Sequence, residues 1–274
     1  MCDKKNFKFH IEYHGANYHG WQIQPNASSI QETIEKTLFK LTKQRVRIHA
    51  SGRTDAGVHA LGQVAHCAVK TRLNSYDLLK GFNGLLPNDI IIRNVSLCPP
   101  DFHSRFSAKG KHYIYIVDNG DIPALWTRFF SVHIHKKLCV KAMRDAAKLF
   151  LGTHNFEPFC ANSGRENEVY ERSILHFHIE KKGNFIFFHV VGKSFLYKMV
   201  RFMVGTLLKI GSGKEHPACI NKIFNDPIKN SAGPVAPAKG LTLFKVFYET
   251  NPYLTNTKDI CNFFPTFDVV SNGA

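Results

Sequence analysis

The sequence lacks the cysteine spacing of a disulfide framework or of a structural zinc site. Its 274 residues include seven cysteines, an odd number, which are scattered and form no CxxC pair. Small secreted domains and zinc modules show closely and regularly spaced cysteines instead. We therefore expect reduced thiols, a cytoplasmic protein and no metal ion.

Long apolar runs are also missing. No stretch approaches the roughly 20 apolar residues that span a bilayer, and the chain opens with Met1-Cys2-Asp3-Lys4-Lys5 instead of an apolar segment. We expect neither a membrane span nor a signal peptide. Histidine pairs at positions 133/135 and 176/178 could each share one face of a strand, but no third ligand accompanies them. A polar strand face is the favoured interpretation of both pairs.

Acidic residues are scarce. The chain has 21 Asp and Glu against 36 Lys and Arg, a formal charge of +15. Such an excess suggests a polyanionic partner such as nucleic acid, although a soluble basic protein without such a partner would also show it. Hydrophobic residues make up 44% of the chain and include 23 phenylalanines, which predicts a globular fold with a sizeable core.

Hydrophobic periodicity predicts an α+β protein made of two related halves and leaves open whether their sheets join. The first half has the order β-α-β-β-α-β, which is the split βαβ pattern of ferredoxin-like domains. Its strands are predicted at 7–13, 46–50, 63–69 and 90–97, and its helices at 76–85 and after the capping-box pair Ser29 and Glu32.

The second half is predicted to repeat this topology without visible sequence identity to the first. Its strands are predicted at 111–118, 129–135, 173–180, 185–191 and 241–248, its helices at 138–151 and 195–210, and a loop at 227–239. The resulting division is 1–105 for the first half, 106–250 for the second half and 251–274 for a frayed C-terminal tail.

One polar loop between two predicted strands carries a candidate catalytic carboxylate. Residues 51–60 read SGRTDAGVHA, so that Asp55 is flanked by Arg53 and His59. A carboxylate close to cations stays ionised, as a nucleophile or a base must. The alternative is an ordinary turn aspartate, because the pattern Asp-x-Gly with Thr nearby is common turn chemistry.

The longer string RTDAGVHA at 53–60 is similar to the signature of the tRNA pseudouridine synthase A family. Five further stretches resemble motifs of that family, in the family's order and over roughly residues 7–250. They are YHGANYHGWQIQ at 13–24, FHSRFSAK at 102–109, KHYIY at 111–115, MVRFMVG at 199–205 and GLTL at 240–243. Ser104 stands where alanine is usual, and FEPF at 156–159 departs from the usual F-x-S-F segment.

The resemblance implies a pseudouridine-synthase fold, in which two ferredoxin-like halves share a long sheet around a basic cleft. It implies isomerisation of uridine to pseudouridine in the anticodon stem-loop of tRNA, at tRNA positions 38, 39 and 40. It also implies that no cofactor or metal takes part, that tRNA is the partner and that the enzyme acts as a homodimer. A noncatalytic RNA-binding protein and a small-molecule enzyme on a ferredoxin-like fold are the competing hypotheses.

The resemblance also assigns roles to individual residues. Asp55 is the essential carboxylate, acting as nucleophile or as base; Tyr113 packs on the target base and helps to remove the C5 proton; Arg201 pairs with Asp55. Without the resemblance, Tyr113 would be read as a core-facing strand residue and Arg201 as a residue at the edge of an apolar helix face. The expected substrate-binding residues are Arg53, which holds the extruded nucleotide, His59, Arg105, Lys109, Lys111 and the apolar Leu243.

Overall fold

One mixed sheet of ten strands organises the part of the chain that the structure describes. This computed structural model describes residues 4–162, 164, 166–227 and 231–249, so the predicted frayed tail at 251–274 lies outside the described residues. The main path through the sheet has the order β4-β1-β3-β10-β5-β9-β8-β7, with β2 paired to β3 and β6 paired to β5.

The first half of the chain forms the predicted split βαβ unit. Its strands follow the order β4-β1-β3, and β2 lies on the far edge of β3. All pairs within this unit are antiparallel, which is the ferredoxin-like arrangement. Its elements are β1 (Lys4–Tyr13), α1 (Ile30–Thr42), β2 (His49–Ala50), β3 (His59–Lys70), α2 (Ser75–Leu85) and β4 (Ile90–Leu97).

The second half repeats this order with β10, β5, β9 and β8 in the places of β4, β1, β3 and β2. The prediction of two related α+β halves is therefore confirmed at the level of topology. The elements are β5 (Gly110–Asp118), β6 (Val132–His133), α3 (Val140–Ala147), β7 (Gly152–Asn155), β8 (Glu171–Lys182), β9 (Phe185–Gly192), α4 (Met199–Gly211), α5 (Cys219–Asn225) and β10 (Leu241–Phe247).

A short parallel contact joins the two halves. Thr242 pairs with His59 and Leu243 pairs with Ala60, where β10 runs beside the beginning of β3. On its other edge β10 is antiparallel to β5, and Leu243 stands opposite Tyr113. The loop that precedes β3 is thereby placed next to the second half of the chain.

Alternation along the strands and capping at the helices explain these elements. Phe7, Phe9 and Ile11 are fully buried while their neighbours on β1 remain partly exposed, as one buried sheet face requires. Helix α1 begins where the Ser29 side chain accepts a hydrogen bond from the Glu32 amide, and Asn74 caps α2 in a complete capping box. The Phe9 and Phe82 rings meet edge to face, which packs α2 on β1.

Two predicted strands are shorter than expected. The segment 46–50 pairs with β3 only at its last two residues, because the Ile48 amide donates to the carboxylate of Glu35 on α1 instead of to a neighbouring strand. The segment 129–135 contributes only Val132 and His133 to the sheet.

The observed helix boundaries also differ from the predicted ones. Helix α4 begins at Met199, not at residue 195, because Lys198 adopts a left-handed backbone with φ of 60° that an α-helix cannot continue through. The α-helical part of the predicted helix 138–151 ends at Ala147, and a 3-10 turn over Lys148–Phe150 follows it. Strand β7 and helix α5 were not predicted, since each is short and carries little periodic signal.

Cysteines and apolar helices add two observations on the described part of the chain. Its five cysteines, which are Cys67, Cys98, Cys139, Cys160 and Cys219, form no disulfide bond with one another. Among the helices of those same residues, none combines the length and the apolar character needed to cross a bilayer.

Candidate active site

The Asp55 loop connects β2 to β3 and is fixed by buried polar side chains. Ser51 Oγ lies 2.7 Å from Gln63 Oε1, and Gln63 Nε2 donates to the Gly52 carbonyl oxygen at 3.0 Å. The Tyr13 hydroxyl lies 2.7 Å from Thr54 Oγ1. Satisfied buried hydrogen bonds of this kind specify one geometry, because any rearrangement would leave a buried polar group unpaired. Asp55 therefore sits on a preorganised loop.

The YHGANYHGWQ segment is the inner support of this loop. The Trp21 amide donates to the Thr54 carbonyl oxygen at 3.1 Å. A Cβ on Gly20, whose φ is 87°, would stand 2.5 Å from that same oxygen, and a Cβ on Gly15 would stand 2.0 Å from the Val58 carbonyl oxygen. Only glycine permits so close an approach of two backbones. The N-terminal motif and the Asp55 loop therefore pack directly against each other and form one structural unit.

Arg201 on α4 reaches the Asp55 carboxylate across 146 residues of sequence. Its Nη1 lies 2.9 Å from Asp55 Oδ2, and the two side chains are only 13% and 19% exposed. Its Nε donates to the Ala236 carbonyl oxygen at 2.7 Å, and the Ala236 amide donates back to the Arg201 carbonyl oxygen. The guanidinium is therefore held at two points and presents a fixed positive charge to the carboxylate.

Tyr113 on β5 is buried beside this pair. Its ring meets the Phe195 ring edge to face at a centroid distance of 5.1 Å. Burial, followed by the proximity of Tyr13 and Asp55, raises the pKa of the Tyr113 hydroxyl above its ordinary value. The Tyr113 hydroxyl therefore keeps its proton at neutral pH.

Asp55, Tyr113 and the start of α4 border an open cleft. Asp55 is the only carboxylate among the described residues that line it. The lining combines cations with apolar surface, which suits a flat, partly polar heterocycle attached to a phosphate chain. The residues are Arg53, Thr54, Asp55, Val58, Tyr113, Phe195, Leu196, Lys198, Met199, Val200 and Leu241.

The predicted basic residues lie in different surroundings. Arg53 is exposed at the cleft, and Arg105 and Lys109 are exposed on the segment that precedes β5. Lys111 is only partly exposed and lies against the catalytic loop, since a Cβ on Gly52 would stand 3.2 Å from Lys111 Cε and 3.6 Å from its Nζ. Burial, with the charge of Arg105, lowers the pKa of Lys111 to about 8.

His59 does not occupy the expected position. Its side chain is 2% exposed, and its Nδ1 accepts a hydrogen bond from the Gly15 amide at 3.1 Å. Burial, reinforced by His14, lowers the pKa of His59 to about 4. His59 is therefore neutral at pH 7 and is not a cation beside Asp55; in this structure it holds the supporting segment against β3.

Leu243 was expected to line the pocket, but it is not among the residues that line the cleft. It is fully buried, and Leu241, two residues earlier on β10, lines the cleft. Phe195 and Lys198 also line the cleft. The sequence did not indicate them as site residues, because both fall within the predicted helix 195–210. The left-handed residue at 198 ends the preceding turn and directs this segment towards the cleft.

Histidine, cysteine and acidic side chains form no group of three suited to a metal ion within the residues that the structure describes. His176 and His178 do share one face of β8, with their rings 6.1 Å apart. Lys181 and Lys182 follow on the same strand, and no carboxylate or thiol of the described residues completes a ligand set with the two rings.

Two ferredoxin-like halves whose shared sheet presents an aspartate–arginine pair and a buried tyrosine in an open cleft define an enzyme of the pseudouridine synthase class. Comparison with known proteins gives the family. The family described as tRNA pseudouridine synthase matches residues 10–107 and 146–249, and the chain belongs to this family.

Curated relatives match over nearly the whole chain. A tRNA pseudouridine synthase A of Acetivibrio thermocellus is 40% identical over 244 residues, which cover 89% of this chain and 100% of that protein. A tRNA pseudouridine synthase A of Chlamydia muridarum is 42% identical over 252 residues, covering 91% and 94%. A tRNA pseudouridine synthase A 1 of Protochlamydia amoebophila is 42% identical over 246 residues, covering 89% and 96%.

Proposed function

We propose that this chain isomerises uridine to pseudouridine in the anticodon stem-loop of tRNA, at tRNA positions 38, 39 and 40. The observation that carries the proposal is the ion pair between Asp55 and Arg201, which fixes the Asp55 carboxylate at the cleft. The names of the curated relatives support tRNA as the substrate. The protein acts in the cytoplasm, as a homodimer, and its halves at 1–105 and 106–250 enclose the cleft.

The reaction moves one bond and needs no co-reactant. The C1′–N1 bond of uridine breaks, the freed uracil turns, C1′ bonds to C5, and the C5 proton leaves while N1 gains one. Asp55 starts this sequence as a nucleophile towards the nucleoside or as a base that removes a proton from it. In both cases the hydrogen-bonded ion pair with Arg201 holds the carboxylate in a fixed orientation.

The target nucleotide must leave its stack before Asp55 can reach it. Bases in a stem are shielded by pairing and stacking, and enzymes that modify them extrude the nucleotide into a pocket. Arg53 stands exposed two residues before Asp55 at the edge of the cleft. Its guanidinium can hold the displaced phosphate chain or fill the space that the base vacates. Arg105 and Lys109 contact phosphates farther along the stem.

Incubation of the purified protein with unmodified tRNA tests this function directly. We expect pseudouridine at positions 38, 39 or 40, detected by chemical labelling and located by primer extension. Tight tRNA binding without any pseudouridine would instead identify a noncatalytic RNA-binding protein, and neither binding nor product would favour a small-molecule enzyme.

The Tyr113 hydroxyl is expected to contribute to proton transfer after the base has turned. Tyr113→Phe keeps the buried ring and its contact with Phe195 but removes the hydroxyl. We expect the single-turnover rate to fall about a hundredfold, in the range of general acid–base contributions, with tRNA affinity nearly unchanged. Tyr115→Phe is the matched control, because that hydroxyl on the same strand donates to the Pro237 carbonyl oxygen. Equal rates for the two variants would remove the proposed role of Tyr113.

Lys111 is expected to bind a phosphate of the extruded nucleotide with a charge that depends on pH. With its pKa near 8, the free enzyme holds the ammonium at pH 7 and loses most of it by pH 9. The tRNA dissociation constant should therefore rise between these pH values by up to about tenfold through this residue.

Lys111→Arg should flatten this rise, because arginine stays charged at pH 9. The measurement is the ratio of tRNA dissociation constants at pH 9 and pH 7. Comparison between proteins cancels effects of pH on the RNA itself. Lys109→Arg, an exposed lysine two residues away, is the control and should leave the ratio as in the unmodified protein. The same ratio in the Lys111→Arg protein would show that Lys111 does not bind phosphate.

A further inference from the structure

The turn that precedes β5 exposes an aromatic ring to which the proposed reaction assigns no role. Phe106 is 76% exposed. Single exposed apolar side chains are ordinary on protein surfaces, but the Phe106 ring also lies on the His103 ring, at a centroid distance of 4.3 Å and an interplanar angle of 33°. The ring is thus supported from within the protein while most of the residue faces solvent.

Hydrogen bonds fix the turn that carries this ring. His103 Nδ1 accepts from the amides of Arg105 and Phe106, at 3.1 and 3.3 Å. The Ser107 amide donates to the His103 carbonyl oxygen at 2.9 Å, and the His103 amide donates to Ser107 Oγ at 3.1 Å. The His103 ring in turn meets the His66 ring on β3 at a centroid distance of 4.6 Å. Phe106 is therefore in place before any partner binds, which lowers the entropic cost of binding.

The charge around Phe106 favours RNA as its partner. Residues 102–112 contain Arg105, Lys109 and Lys111 and no acidic residue. The Arg105 guanidinium carbon lies 5.7 Å from the centre of the Phe106 ring. Cores of protein–protein interfaces are depleted in lysine, whereas proteins that bind single-stranded nucleic acid combine cations for the phosphates with aromatic rings on which bases stack. A nucleobase is therefore the occupant that fits this ring.

The same cations connect Phe106 to the cleft. Lys111 lies against Gly52, the sequence neighbour of Arg53 at the cleft. The charge of Arg105 acts on Lys111 and contributes to its lowered pKa. A strand whose target uridine enters the cleft would place its phosphates along these cations. The base that reaches Phe106 is then an unpaired one, because the bases of a stem stack on their own neighbours.

We propose that Phe106 is the stacking surface for an unpaired base of the anticodon loop, on the strand that carries the target uridine. This proposal rests on the proposed function and adds to it a residue that positions the RNA. The bound base would extend the series of rings formed by His66, His103 and Phe106. Since every base has a flat face, such a contact recognises an unpaired nucleotide without selecting its sequence.

Affinity for an unmodified anticodon stem-loop RNA tests the stacking surface. Phe106→Ala should raise the dissociation constant about tenfold, as loss of one base–aromatic stack does. Phe106→Leu should raise it nearly as much, because leucine is apolar but not flat, and Phe106→Tyr should restore tight binding. Tyr76→Ala is the matched control and should bind normally: Tyr76 on α2 is 64% exposed with Lys80 Nζ 5.6 Å from its ring centre, and it does not line the cleft.

Two further measurements separate stacking from a structural role and from phosphate binding. Abasic nucleotides are placed one at a time at the unpaired positions of the loop. At the contacted position, the abasic RNA should bind the unmodified and Phe106→Ala proteins equally. The salt dependence of affinity should be the same for these two proteins, whereas Arg105→Ala should lower its logarithmic slope by about one. Circular dichroism should be the same for all variants.

Normal affinity of Phe106→Ala, normal affinity of Phe106→Leu, weak binding by Phe106→Tyr, or a difference that persists with every abasic RNA would each overturn the proposal. Pseudouridine formation by the unmodified protein on the same RNA separates these outcomes from failure of the proposed function. Product formation with a normal Phe106→Ala affinity would refute the stacking surface alone. Binding that depends on Phe106 without any product would refute the isomerase alone, and an unmodified protein that does not bind the RNA would refute both.

Discussion

Replacement of Asp55 by asparagine is expected to abolish pseudouridine formation while leaving the fold and the tRNA affinity intact. The variant keeps the size and the hydrogen-bonding geometry of the side chain but removes its negative charge. No other carboxylate lines the cleft among the described residues, so no neighbouring group can replace the lost nucleophile or base. Loss of an essential nucleophile or base lowers rates by many powers of ten, here at least about a thousandfold.

The measurement is single-turnover product formation with saturating enzyme and unmodified tRNA, accompanied by circular dichroism and tRNA affinity. Asp89→Asn provides the control, because Asp89 is a partly buried aspartate that accepts a hydrogen bond from the Tyr18 hydroxyl at 2.6 Å. It should retain most of the activity. If Asp55→Asn keeps even a tenth of the unmodified rate, Asp55 is a turn residue and the chemistry must lie elsewhere.

The sequence was informative about the site because its motifs are structural partners. Asp55 and Arg201 are 146 residues apart, and no local pattern connects them. Each lies in a string long enough to resemble a family motif, and the structure brings the two strings together. The glycines at 15 and 20 show why the N-terminal motif accompanies the catalytic loop, since larger residues would collide with its backbone.

Burial and the beginnings of elements could not be predicted in the same way. His59 follows Asp55 in the motif, but β3 begins at His59 and the Gly15 amide binds its ring, which fixes it in the interior. The apolar arc of residues 195–210 predicted one continuous helix, whereas a single left-handed residue at Lys198 delays α4 until Met199. Such features depend on tertiary contacts and on one backbone angle, and neither leaves a periodic signal.

The connection between β5 and β6 illustrates a third limit. Phe129 and Phe130 fall within the strand that the sequence predicts at 129–135. In the structure both are exposed, and only Val132 and His133 pair with β5. A hydrophobic run identifies residues that avoid water, but it does not say whether the same chain or another molecule covers them.

Replacement of Arg201 by alanine should lower the rate of isomerisation strongly while leaving tRNA affinity close to normal. The variant removes the cation 2.9 Å from Asp55 and the donor to the Ala236 carbonyl oxygen. A hydrogen bond between charged groups contributes about 1.5–3 kcal/mol. Because both side chains are mostly buried, solvent screening reduces this contribution little, and a rate loss of about 10–100-fold follows.

The variant Arg201→Lys distinguishes the effect of the positive charge from the effect of the guanidinium geometry. Arg201→Lys retains the positive charge, but one ammonium cannot reproduce a guanidinium that binds Asp55 through Nη1 and Ala236 through Nε. We expect a rate between those of the unmodified protein and the alanine variant. A purely structural role would instead lower the thermal unfolding midpoint of both variants and leave the rate per folded molecule unchanged. Unfolding midpoints and active-site titration must therefore accompany the kinetics.

Arg93 supplies the matched control for the loss of an arginine–carboxylate pair. Its Nη2 lies 2.7 Å from Glu12 Oε2, in a pair between β4 and β1 in which the arginine is well exposed. Exposed pairs contribute little to stability, and Glu12 does not line the cleft, so Arg93→Ala should keep the full rate. If Arg201→Ala reacts within twofold of Arg93→Ala in single-turnover experiments, the cation beside Asp55 does not assist the reaction, and Arg201 serves only to join α4 to the segment around Ala236.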